Sequence, residues 1–277
     1  MTQQTNASQS PGAATADRRW AAWLSAPNAA AAEIVRDLGY RSVVLDIEHG
    51  AFDLADLERF VPFLRAIGLR VLAKVLAPER GPIQQALDFG ADVVVIPHVE
   101  NLAHAATVSR YGKFPPLGDR SFAGGRTARY GGFDDAWVAA QDHKTGIYPM
   151  IEDAGALQEI DAILALDTVD GVFVGPSDLS LRRSRGAYSR TEGDFADLRT
   201  VADAARAAGK PWVLPAWAPE EKEFALLHCA DEVVLLTDHA ALVAGFGAAL
   251  SETTALAERL LLGSTTFNEK RSQARCS

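Results

Sequence analysis

The chain has 277 residues, 48% of them hydrophobic, which fits one large α/β domain better than two ordinary ones. Its net charge of −9 argues against a general binder of nucleic acid or anionic membranes, though it leaves room for a local cationic pocket. Cys229 and Cys276 are the only cysteines, the second in a polar stretch, so no structural disulfide is expected and a reducing, cytoplasmic setting is.

Residues 1–17 are Gln, Ser, Thr, Ala and Gly without a basic start or an apolar core, and read as a disordered arm rather than a secretory signal. No uninterrupted apolar run approaches the ~20 residues that span a bilayer, so no membrane segment is expected. From there short β-branched runs alternate with longer amphipathic stretches, the pattern of βαβ units. A weak first strand falls at 21–25, and Asn28 caps a helix ending at Leu38 and Gly39. S-V-V-L-D-I at 42–47 is a strong strand, with a helix over 54–67. The third strand, 70–75, leads to a helix ending at Phe89 and Gly90, and the fourth, 92–96, to one over 103–110. The fifth, 147–151, leads to 156–166. The sixth, 171–174, leads through a long loop to 195–208. The seventh, 211–214, leads to 220–227, and the eighth, 232–236, to a long final helix over 239–262. Gly39, Gly68, Gly90 and Gly209 suit the left-handed residue that follows a helix.

Eight such units predict one (β/α)8 TIM barrel over residues 18–264, with a polar tail over 265–277. An open, doubly wound sheet is the alternative, against which no G-x-G-x-x-G follows the first strand. The segment 112–145 breaks the rhythm, being long and rich in Gly, Arg and aromatic residues. Its G-G-R-T-A-R-Y-G-G places Arg126 and Arg129 on a loop suited to anion recognition, to subunit contact, or simply to solvent.

In a barrel, polar residues just past the strand carboxyl ends face the active site. Here these are Asp46, Glu48, His49, Lys74, His98, Glu100, Glu152, Asp153, Ser177, Asp178, Asp238 and His239. Glu152 and Asp178 follow adjacent strands, and two carboxylates suit an octahedral hard ion such as Mg2+ or Mn2+. The plainer alternatives are a helix cap at Glu152 and a turn residue at Asp178. A three-histidine zinc site is disfavoured, because His98, His104 and His143 lack tight ligand spacing. His49, beside acidic neighbours, is a candidate general base. Lys74 ends an apolar strand; it either neutralises the carboxylate cluster or forms a Schiff base.

Several motifs together resemble the HpcH/HpaI family of metal-dependent pyruvate aldolases. They are V-V-L-D-I-E-H-G, A-L-D-F-G-A-D-V-V-V-I-P-H-V-E-N, F-P-P-L-G-D-R-S-F-A-G-G-R, M-I-E-D-A-G-A-L and D-G-V-F-V-G-P-S-D-L-S, spread from about residue 20 to 262. The resemblance implies a class II lyase acting on a 2-keto acid such as pyruvate or oxaloacetate, with an aldehyde or acyl acceptor. Glu152 and Asp178 would hold Mg2+, Mn2+ or Co2+. Ser177 and Asp178 would meet the keto acid's carboxylate, and His49 would be the base. Asp88 would polarise that histidine from a neighbouring subunit, in a hexamer or trimer of dimers with exchanged C-terminal helices. Lys74 stands where the family has an arginine, Met150 where it has a glutamine, and Arg120 in the long loop is a further substrate-binding candidate. These departures also leave open a biosynthetic role such as citrate synthesis in a siderophore pathway. A non-catalytic binding barrel would be expected to have lost the carboxylate pair or the histidine, and all three are present.

Overall fold

A computed structural model describes residues 19–273, with side chains to Leu260. Its strands are β1 (Arg19–Leu24), β2 (Ser42–Asp46), β3 (Arg70–Lys74), β4 (Val93–Ile96), β5 (Gly146–Ile151), β6 (Val172–Val174), β7 (Trp212–Pro215) and β8 (Glu232–Thr237). They pair in parallel, each with the next, and close into a barrel. The expected (β/α)8 fold is therefore present, with the Arg19 N–H reaching the Asp231 carbonyl at 3.1 Å across the closure.

Strand alternation splits the core into two layers. Val44, Leu72, Val95, Met150 and Phe173 fill the barrel interior, whereas Val43, Leu45, Val71 and Val94 face the surrounding helices. Those helices begin where capping chemistry allows. Asn28 caps α1 (Ala29–Asp37), and Asp53 with Asp56 makes a reciprocal capping box on α2 (Leu54–Ala66). The helix α3 (Arg80–Phe89) ends on Gly90 at φ 103°, a backbone conformation that costs a side-chain-bearing residue dearly. Next come α4 (Leu102–Ser109), α5 (Asp135–Lys144), α6 (Ala154–Gln158), α7 (Ile160–Leu164), α8 (Pro176–Arg182), α9 (Glu192–Ala208) and α10 (Pro219–Leu227).

Three features were not expected, among them α8, which falls in the long loop read after the sixth strand. Asp134 caps α5 inside the segment that reads as loop, and the fifth-strand helix is split at Glu159 into α6 and α7. The arm over residues 1–17 lies outside the described residues.

The chain divides into two compact units, one ending at Leu236 and one beginning at Thr237. The second consists of α11 (Asp238–Gln273), which continues past the expected end near 262, through helix formers such as Glu269, Lys270 and Arg271. Its stretch Asp238–Leu260 has a mean hydropathy of 1.4 over 23 residues, long and apolar enough by length and composition to cross a membrane. The uninterrupted apolar run within it is shorter, ending at the Ser251-Glu252 pair. Leu242, Val243, Phe246 and Leu250 lie along one stripe of α11 and are more than half exposed.

Candidate active site

Parallel registry places Asp46 of β2 directly beside Lys74 of β3. The Lys74 ammonium lies 3.2 Å from Asp46 Oδ1 and 2.5 Å from Glu48 Oε2, and the residue is 4% exposed. Trp23 of β1 completes the enclosure. Its Nε1–H donates to Asp46 Oδ2 at 3.2 Å, and its ring stands 5.7 Å from the ammonium. The expected partners of Lys74 are Glu152 and Asp178, or a bound keto acid. Strand pairing supplies Asp46 and the turn after β2 supplies Glu48 as its direct partners, while the Lys74 charge still acts on Glu152.

Glu48 also faces His98, whose Nε2 lies 2.5 Å from Oε1. His98 follows β4 with φ at 54°, in the left-handed region that a residue with a side chain occupies only under constraint. That turn aims its backbone N–H at Glu152 Oε1, 2.6 Å away, and leaves its Nδ1 3.4 Å from the same oxygen. Lys74, Glu48, His98 and Glu152 thus form one continuous chain of polar contacts across the mouth, from β2 to β5.

Glu152 stands one residue past β5 and is 2% exposed. It is no helix cap, because Asp153 takes that place by accepting from the Gly155 N–H at 2.8 Å. Burial pushes the Glu152 carboxyl above its usual range; the His98 N–H and ring oppose the shift, and the charge of Asp178 adds to it. Asp178, in the first turn of α8, is exposed, and its carboxylate makes no hydrogen bond or ion pair among the described residues. Among those residues no three His, Cys, Asp or Glu side chains converge as ligands. Glu152, raised chiefly by burial, and the exposed Asp178 that acts on it are nevertheless a carboxylate pair that suits a hard divalent ion.

The other candidates separate into two places. His49 sits at the rim, its side chain 66% exposed and its Nε2 3.5 Å from Glu48 Oε1, with its backbone N–H on Asp46 Oδ1 at 3.2 Å. Ser177 neighbours Asp178 in α8, and Met150 lines the barrel interior at 6% exposure. Asp88 and Arg120 are not at this mouth. Asp88 lies in the last turn of α3, at the amino ends of the strands, where Arg120 Nη2 meets its Oδ1 at 3.0 Å. Arg120 is 3% exposed and stacked 4.7 Å over Phe114, with Nε and Nη1 unpaired. Arg120 therefore cannot bind substrate in its own barrel as expected.

Glu48 and His98 are central here, yet sequence reasoning gave neither a role. A usable signal existed for Glu48, since it lies just past the end of β2, where side chains face the barrel mouth. Nothing in the sequence marks the left-handed turn at His98.

Comparison with known proteins gives the family and the fold. The model of the HpcH/HpaI aldolase/citrate lyase family matches residues 19–253. A 4-hydroxy-2-oxovalerate aldolase from Novosphingobium aromaticivorans is 34% identical over 57% of this chain and 60% of its own length. A hydroxypyruvate/pyruvate aldolase from Roseobacter denitrificans is 31% identical over 68% and 75%. The crystal structure of an HpcH/HpaI aldolase from Desulfitobacterium hafniense superposes with a TM-score of 0.79 at 25% identity, covering 87% of this chain and 94% of that one. The chain belongs to the HpcH/HpaI aldolase/citrate lyase family.

Proposed function

We propose that this chain is a divalent-metal-dependent carbon–carbon lyase that cleaves, or forms, a hydroxy keto acid through a pyruvate or oxaloacetate unit. The observation that carries the reading is the buried Glu152 carboxylate facing the unpartnered carboxylate of Asp178 at the barrel mouth. The aldolase names of its relatives support the same class. Glu152 and Asp178 would hold Mg2+, Mn2+ or Co2+, which when bound supplies Lewis acidity toward the keto oxygen of a 2-keto acid.

The chain's own residues supply the rest. The backbone N–H groups of Ser177 and Asp178, in the first turn of α8, lack helical acceptors and can receive the substrate carboxylate. Lys74 spends two donors on Asp46 and Glu48, leaving a third for negative charge developing on the keto oxygen. Attack by Lys74 as an amine would leave those two buried carboxylates facing each other without a cation, which disfavours the Schiff-base alternative. Met150 offers only a thioether, so no amide donor assists from that position. His49, exposed at the rim, takes or returns the proton of the acceptor's hydroxyl.

Asp88 and Arg120 act across a subunit interface, with Asp88 orienting His49 of the partner subunit and Arg120 holding Asp88. The exposed stripe of Leu242, Val243, Phe246 and Leu250 on α11 supports assembly through exchanged helices. The deciding assay uses chelated and metal-reconstituted protein with pyruvate and oxaloacetate, each alone, with aldehydes and with acetyl-CoA. Loss on chelation and recovery with Mg2+, Mn2+ or Co2+ is expected. Full turnover in protein shown to be metal-free would refute the reading.

A further inference from the structure

The amino ends of β4 and β5 carry a cavity of about 290 Å3 that the proposed chemistry leaves unused. Its apolar side is formed by Leu87 and Phe89 of α3, and its polar side carries four cations against one carboxylate, Asp92. Arg126, Arg129 and Lys144 line it, and none of their side chains makes a hydrogen bond or ion pair among the described residues. Arg65 at its edge is already engaged, by the Gly90 carbonyl at 3.1 Å and by Asp92 at 3.3 Å. Gln141 lines it too, only 9% exposed, and its side-chain amide has no partner among those residues either. All three cations are exposed, and they gather at this cavity in a chain with 36 acidic residues against 27 basic ones.

The loop that brings Arg126 and Arg129 here is built rather than slack. Arg129 and Tyr130 both hold left-handed backbones, at φ 52° and 59°, and the Tyr130 N–H bonds the Gly125 carbonyl at 2.9 Å. Phe122 packs on Phe133 at 3.9 Å and on Trp137 of α5 at 5.5 Å, pinning the loop at both sides.

We propose that this cavity binds a small oxyanion carrying two or more negative charges. The guanidinium forks of Arg126 and Arg129 offer paired donors to such a group, Lys144 a point charge and Gln141 an amide contact. The volume suits a ligand of a few carbons. Phosphate esters and polycarboxylates share this chemistry. The site is at the end of the barrel opposite Glu152, so it stands or falls independently of the lyase reading.

Isothermal titration of the full chain with inorganic pyrophosphate, and separately with tricarballylate, tests it. Three proteins are compared: the parent, Arg126→Ala/Arg129→Ala/Lys144→Ala, and Glu152→Gln/Asp178→Asn. One anion per chain is expected, with affinity falling as salt rises. The triple variant should bind about tenfold or more weakly, the usual consequence of removing charged hydrogen bonds. The Glu152/Asp178 variant should bind as the parent does. Binding of pyrophosphate alone assigns a phosphate ligand, and of tricarballylate alone a polycarboxylate. No saturable binding of either up to about 10 mM, or parent-like binding by the triple variant, overturns the proposal. So does loss of binding in the Glu152/Asp178 variant, which would put the anion at the mouth. A triple variant that changes oligomeric state but not anion affinity would make these cations a subunit contact and overturn it as well. If the triple variant loses its helical circular dichroism, the single Arg126→Gln and Lys144→Gln variants carry the same comparison.

Discussion

Glu152 packs so closely against Gly175 that a Cβ on the glycine would stand 2.9 Å from its Oε2 and 2.8 Å from its Cβ. Met150 Cε would be 2.7 Å away. Gly175 itself has φ −108°, open to any residue, so what is demanded here is room rather than an unusual backbone. Gly175→Ala must therefore displace the Glu152 carboxylate or Met150. The expected loss is about 1–3 kcal/mol of stability, as for overpacking elsewhere, with weaker divalent-ion binding alongside. Parent-like melting and metal titration would show that the neighbours yield freely.

The barrel was readable because its strands are β-branched runs and its helices carry strong punctuation. Asn28 and Asp53 cap as their residue types predict, and Gly90 and Gly209 end helices in left-handed backbone. The α8 helix was missed because Pro176 and Ser177 read as loop, although proline belongs at a helix's first position. At the site, positions past the strand ends are what singled out Glu152, Asp178, His49 and Lys74. Their partners were not legible. Lys74 meets Asp46 through strand registry, and Arg120 meets Asp88 across 32 residues of chain, relationships that only the closed fold creates.

The Asp88–Arg120 pair predicts a pH signature. Burial pushes the Asp88 carboxyl up, and Arg120 partly opposes this. An acid raised in the fold binds its proton more tightly there than when unfolded. Its contribution is complete below the unfolded value of about 3.9 and is lost as pH rises through the folded one. At neutral pH Asp88 is ionised at a desolvation cost that Arg120 only partly offsets, so Asp88→Asn, which stands in for the protonated acid, should melt at or above the parent there. As pH falls, the parent protonates Asp88 too, and the two melting curves should converge, beginning above the pH at which an ordinary aspartate titrates. A constant gap down to about pH 3.5 would contradict this account.

Asp88 and His49 lie at opposite ends of one barrel, so cooperation between them requires two chains. His49→Ala should keep its fold and lose about 10²–10⁴-fold in rate, the usual range for general acid–base catalysis. Asp88→Ala should also be impaired. Mixing the two variants under conditions that dissociate and reassemble subunits should restore part of the activity, through mouths that pair an intact His49 with an intact Asp88. Failure to recover in verified mixed oligomers, or a fully active monomer, would remove Asp88 from the mechanism.

Lys74 is the hardest residue to test by simple deletion, because it is both a counter-ion and a candidate donor. Its ammonium is enclosed by Glu48, Asp46 and Trp23 at 4% exposure. Lys74→Ala would strand two buried carboxylates, and breaking a buried ion pair typically costs about 3–5 kcal/mol. An inactive Lys74→Ala protein is thus ambiguous, since activity and fold fail together. The double variant Lys74→Met/Glu48→Gln separates them by removing both charges while keeping similar volume, and its melting temperature should return toward the parent's. If Lys74 contributes a donor to the keto oxygen, the stabilised double variant should remain slower by about 10²–10³-fold, the scale seen on deleting one preorganised donor. Lys74→Arg should keep part of the rate, since a guanidinium offers N–H groups in the same direction. Borohydride added with keto acid should leave no adduct at Lys74; a stable adduct there would establish the imine route instead. Glu48→Gln alone supplies the remaining control. If it is as slow as the double variant, the loss belongs to the Glu48–His98 contact, and Lys74 serves the mouth only as a buried counter-ion.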